Sequence, residues 1–122
     1  MQIQINTDHN IERDEALTDW VSGVVENALR QTSERIMRVE VHLSDQNSDK
    51  KGGNDNMRCM TEARLPGRPP IVATHQATTF EQALYGALDR LAKSIERTLE
   101  RLHDQRRNKT DPLSSESRPS DE

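Results

Sequence analysis

Arg90, Lys93, Arg97 and Arg101 follow one another at intervals of three, four and four residues. In a helix that spacing lines the four cations up on one surface stripe, which then runs into Arg106, Arg107 and Lys109. A row of cations at helical pitch is suited to tracking the phosphates of a nucleic acid. A second basic group consists of Lys50, Lys51 and Arg58, continued by Arg64 and Arg68. Lys50 and Lys51 precede Gly52-Gly53, whose backbone could cradle a phosphate, although an ordinary connecting loop is the simpler reading. The interleaved Glu96 and Glu100 likewise allow the plain reading of a mixed-charge, solvated helix face.

The other reactive residues are not arranged for catalysis. His9, His42, His75 and His103 lie 33, 33 and 28 residues apart, so none has the i, i+3 or i, i+4 spacing of a helical metal site. Two of them could meet only across a sheet, and no metal or other cofactor is expected. Cys59 is the one cysteine, which excludes an internal disulfide and a cysteine zinc cage. It falls on the apolar side of an alternating segment, where it acts as a small hydrophobe. No GxSxG, HExxH, GxxxxGKS or GxGxxG motif occurs. No carboxylate is flagged by an apolar setting that would raise its pKa. The expectation is a binding protein rather than an enzyme, with no small-molecule substrate. Trp20, Phe80 and Tyr85 are the only aromatics, too few to form a base-stacking platform.

The elements that must hold these residues are legible from their periods. Met1, Ile3 and Ile5 alternate with Gln2, Gln4 and Asn6, the pattern of a half-buried strand. From about Asp14, Leu17, Val21, Val24, Val25 and Ala28 recur at helical spacing and predict an amphipathic helix ending near Gln31–Ser33. Asp14 and Glu15 suit its first turn. Gly23 weakens it by about 1 kcal/mol relative to Ala. Period two returns over 36–44, where Val39, Val41 and Leu43 oppose Arg38, Glu40 and His42. It returns again over 57–65, where Met57, Cys59, Thr61, Ala63 and Leu65 oppose Arg58, Met60, Glu62 and Arg64. A polar loop, SDQNSDKKGGNDN, separates these two strands, and Pro66-Gly67-Arg68-Pro69-Pro70 turns the chain into a short strand at 71–76. The three strands are predicted to be antiparallel neighbours.

The last helix has an N-cap in Thr78 or Thr79, with Glu81 and Gln82 placed for a capping box. Phe80, Leu84, Ala87, Leu88, Leu91, Ala92, Ile95, Leu99 and Leu102 form its apolar stripe. From Asp104 the periodicity stops, and 104–122 reads as a disordered acidic tail after a single domain at 1–103. The order β-α-β-β-β-α implies an α+β two-layer sandwich, a four-stranded sheet with both helices on one face and the other face wet. The face that holds His75 is left open.

Composition bounds the rest. A chain of 122 residues has room for one small domain, and 31% hydrophobic residues give it a thin core. No apolar run approaches the roughly 20 residues of a membrane-spanning helix. The start, MQIQI, has neither a basic nor a long apolar leader segment, so a soluble cytoplasmic protein is expected. The net charge of −4 is unevenly spread: residues 50–109 hold twelve Lys and Arg against seven acids, whereas residues 1–40 hold four against eight. Overall acidity therefore does not exclude a polyanionic partner.

The chain resembles the bacterial ribosome hibernation-promoting factor and ribosome-associated inhibitor family. The resemblance covers about residues 1–103. It lies in the opening MQIQI, in Asp14-Glu15-Ala16-Leu17, and in Glu34-Arg35-Ile36 leading to VEVHLS. It continues in Ile71-Val72-Ala73 and in TTFEQALYGALDRLAKSIERTLERL. It implies the same β-α-β-β-β-α fold. It also implies binding of the 30S and 70S ribosome in the small-subunit channel for mRNA and tRNA anticodon ends, contact with 16S rRNA phosphates, and a block on translation in stationary phase or stress. Lys50, Lys51, Arg58, Arg90, Lys93, Arg97 and Arg101 are the contacts it implies.

The chain departs from the family pattern in several places. Thr79-Phe80-Glu81 stands where the last helix commonly opens Asp-Met-Tyr, and Glu96 and Glu100 make that helix less basic. KKGGNDN and MRCMTEARL form a pattern of their own. The long family form carries a further dimerisation domain, and the short tail here leads us to expect a monomer or weak dimer that does not join ribosomes by that route. The alternative is a general stress module on the same fold that binds RNA or protein without entering the ribosomal channel.

Overall fold

The computed structural model of the chain describes residues 1–8, 14–45 and 57–110, with side chains as far as residue 105. The first strand, β1 (Gln2–Thr7), turns Ile3 and Ile5 inward, as the alternation predicts. Helix α1 (Glu15–Ala28) follows, and Asp14 is its N-cap, accepting a hydrogen bond from the Leu17 backbone N–H at 2.8 Å. The α-helix ends before the expected Gln31–Ser33, because Arg30–Arg35 is a 3-10 helix. Thr32 and Ser33 donate their hydroxyls to the carbonyls of Leu29 and Arg30, three residues back, the shorter pitch that such side chains favour.

Strands β2 (Arg38–Asp45), β3 (Met57–Arg64) and β4 (Ile71–Ala77) then form an antiparallel run, with Val41 opposite Thr61 and Thr61 opposite Ala73. β1 adds to the other side of β2 in parallel register, Ile3 beside Val39 and Ile5 beside Val41. The sheet order is therefore β1-β2-β3-β4, which makes β4 an edge. A parallel pair cannot be closed by a tight turn, so α1 and the 3-10 helix serve as the crossover. The β3–β4 turn is tight instead. Pro66 and Gly67 are its central residues, Gly67 has φ +69°, and the Arg68 N–H returns to the Leu65 carbonyl at 3.3 Å, a type II turn in which the positive φ calls for glycine.

Helix α2 (Phe80–Thr110) starts from Thr79, whose hydroxyl accepts from the Gln82 N–H at 3.1 Å. The Gln82 side chain bonds the Thr78 hydroxyl at 2.8 Å instead of the N-cap backbone, so the capping box is half made. α2 packs on β3 and β4 while α1 meets β1 and α2, so both helices cover one sheet face. Val39, Val41, Leu43, Leu84, Leu88, Leu91 and Ile95 are fully buried between the layers. Under α2 the sheet offers small side chains, Cys59, Thr61, Ala63, Ala73 and Ala77, which lets the helix approach closely. The buried Thr61 hydroxyl donates to the Ala73 carbonyl at 3.0 Å, so it costs the core nothing in unsatisfied polarity.

α2 continues past the expected boundary at 103, as far as Thr110. After Leu102 no apolar residue marks the helix in the sequence, yet Gln105, Arg106, Arg107 and Lys109 are good helix formers. Residues 111–122 of the expected tail lie outside the described residues. Among the described residues, no helix is long and apolar enough to cross a membrane.

Candidate nucleic-acid interface

The helical stripe and the sheet edge meet. Arg90, Lys93 and Arg97 line one shallow groove with Ser94 and with Val72, Ala73 and Thr74 of β4. Arg90 donates from Nη1 to the Thr74 carbonyl at 2.9 Å, which pins its guanidinium to the strand edge and leaves its other donors facing outward. Lys93 forms an exposed i, i+4 pair with Asp89 at 3.1 Å, a contact weak enough in water for a phosphate to replace. Arg97 reaches the Ser94 hydroxyl, and Arg101, one turn further, the Thr98 hydroxyl, both at 3.5 Å. Neither arginine is neutralised by these contacts. Glu96 and Glu100 are exposed, but neither lines the groove. Each immediately precedes an arginine in sequence and so points about 100° away from it around the helix.

The remaining expected site residues are distributed around the sheet. Arg58 and Arg64 project from β3 on the face opposite the helices, and Arg64 donates to Glu62 at 3.2 Å. Arg68 lies in the β3–β4 turn, where it lines a second recess with Glu34, Arg35, Leu99 and Leu102. Lys50 and Lys51 lie outside the described residues. Sequence spacing did not single out Arg35, which joins Arg68 only because the 3-10 helix and the β3–β4 turn share one end of the molecule. It also missed the Thr74 carbonyl, for which a sequence carries no signal.

The wet face holds its own charge cluster. Glu40 and Glu62 face each other across β2 and β3, an unfavourable like-charge pairing. Arg38 hydrogen-bonds Glu40, Arg64 hydrogen-bonds Glu62, and His42 Nε2 lies 3.3 Å from Glu40. The bond from Arg38 holds the Glu40 carboxyl below the usual carboxylate range, against the opposing effect of burial. Glu40, His42 and Glu62 bring possible ligand atoms within 4.8 Å of one another, but the arginines already neutralise both carboxylates. Cys59 is fully buried, and burial pushes its thiol up to about 12, so it stays protonated and packs as an apolar group. His75 faces inward, its ring against Gly86 of α2.

The chain is thus an α+β two-layer domain, a mixed four-stranded sheet with a parallel crossover and both helices on one face. A crystal structure of the Protein Y N-terminal domain from Thermus thermophilus is similar, with a TM-score of 0.62 at 22% identity over 80% of this chain and 99% of that one. A ribosomal subunit interface protein from Coxiella burnetii is similar too, with a TM-score of 0.61 at 14% identity over 82% of this chain and 99% of that one. No curated protein matches the chain by sequence. The chain belongs to the sigma 54 modulation protein / S30EA ribosomal protein family, whose model matches residues 3–107. This is a family of ribosome-associated factors that act in hibernation and translational control, not a family known for enzymes.

Proposed function

We propose that the chain binds the small ribosomal subunit in the channel for mRNA and tRNA anticodon ends, holds 16S rRNA phosphates through the α2–β4 groove, and so prevents initiation. The observation that carries this reading is the convergence of Arg90, Lys93 and Arg97 on one groove whose lining contains no carboxylate. Such a groove presents several N–H donors to a phosphate backbone and lets released counterions drive association. Arg101 prolongs the track, and Arg68 and Arg35 add two cations at a recess that Glu34 also lines. Lys50, Lys51 and Arg58 are additional contacts in this reading, whereas Arg64 is already held by Glu62 and contributes least.

Reversing Arg90, Lys93, Arg97 and Arg101 to Glu tests it, with sucrose-gradient co-sedimentation as the measurement. The unaltered chain is expected to migrate with 30S and 70S particles, less so as salt rises, and the reversed variant to remain at the top of the gradient. Undiminished co-migration of the reversed variant overturns the assignment of the groove. Co-migration of the unaltered chain that ignores salt points to a contact with ribosomal protein rather than RNA.

A further inference from the structure

The opposite flank of α2, where it meets α1, carries a second and chemically different cleft. We propose that this cleft docks a basic peptide segment bearing an apolar anchor side chain, supplied by a protein partner. The cleft measures about 440 Å³, and Trp20, Val24 and Tyr85 line it with Gly23. Two of the chain's three aromatic residues therefore meet at one surface site. Tyr85 is 49% exposed, and Trp20 and Val24 are half-buried. That volume has room for a large apolar side chain together with part of the segment that carries it.

Gly23 is the second observation. It sits in the middle of α1, where glycine weakens a helix. A Cβ built on it meets nothing within 4 Å, and its backbone is not left-handed. Neither packing nor conformation requires glycine there. Its effect is to keep the wall of the cleft low, so that another chain can approach the helix backbone.

Charge selects the occupant. α1 carries Glu15, Asp19 and Glu26 and has no Lys or Arg from 15 to 28. Asp19 lines the cleft, and Glu26 lies two turns further along the same helix stripe. On α2, Glu81 stands one turn before Tyr85. An acidic rim around an apolar floor repels a polyanion and favours Lys or Arg flanking the anchor. A second copy docking the same cleft face to face would set acid against acid. The chain's own 111–122 segment is acidic as well, with four carboxylates against Arg118.

Trp20 is the only tryptophan, so its emission reports this cleft directly. The probe is a Trp-free twelve-residue peptide of Lys and Leu, labelled for anisotropy. Matched peptides replace Leu by Ser or Lys by Glu, and oligouridylate serves as the polyanion. The Lys/Leu peptide is expected to change Trp20 emission saturably, with the Ser and Glu versions at least about tenfold weaker. Gly23→Leu, which has open space to occupy, should weaken binding about tenfold by filling the cleft, with folding checked by circular dichroism. The pair Asp19→Lys and Glu26→Lys should do the same through the rim, and Arg97→Glu should leave binding unchanged. The proposal is overturned if the Lys/Leu peptide leaves Trp20 unaffected, or if the Lys/Ser peptide binds as tightly. It is also overturned if both cleft variants, folded, bind as the unaltered chain does, or if oligouridylate is the probe that Trp20 detects.

Discussion

Gly86 of α2 lies close against the His75 ring of β4. A methyl group on Gly86 would stand 2.1 Å from the His75 ring, far inside contact distance. Gly86→Ala is therefore expected to destabilise the fold by about 1–3 kcal/mol, the range for overpacking, in urea denaturation. Adding His75→Ala should recover part of the loss, because the ring is the obstruction; equal instability of single and double variants would place the cause elsewhere. Other residue-scale features were legible in the sequence. Cys59 shares its parity with Thr61 and Ala63, so alternation alone places it inside. His75 shares parity with Ala73 and Ala77, but a polar ring on an apolar face contradicts the pattern unless the partner helix supplies a glycine opposite. That partner lies eleven residues on, in another element, beyond the reach of local reasoning.

At the scale of elements, the ends of the helices are where local chemistry is most specific. Asp14 closes the α1 N-terminus by accepting from Leu17 on an exposed surface. Asp14→Ala should cost about 1 kcal/mol of stability, read as a lower urea midpoint. Ribosome co-sedimentation at equal folded protein should not change. The strands, the apolar stripe of α2 and the shared helix face were all readable, because burial imposes a period on the chain. The 3-10 helix was not, since it has no buried face to impose a period on its sequence. Nor was the reach of α2 to Thr110, because the sequence after Leu102 carries no apolar period. The same contrast governs the candidate interface. The cationic stripe follows from spacing within one helix, whereas the edge position of β4 follows from the order of four strands.

Across the whole molecule the two flanks of α2 differ in sign. Cations border β4 on one flank and acids border α1 on the other, so a net charge of −4 coexists with a one-sided basic surface. Salt dependence separates the two flanks quantitatively. Replacing Arg97 by Ala should lower the slope of log binding constant against log salt for ribosomal particles by about 1, the signature of one lost phosphate contact. Replacing Asp19 by Ala should leave that slope where it was; an equal change for both would mean that the sign separation has no bearing on binding. The bond from Arg90 to Thr74 has one more consequence. β4 is an open strand margin, the place where a stray β-segment from another molecule can add itself and begin aggregation. An intruding strand must dislodge that guanidinium and strip water from Lys93 and Arg97, so the cations of the proposed groove also raise the barrier to adding a strand at this margin.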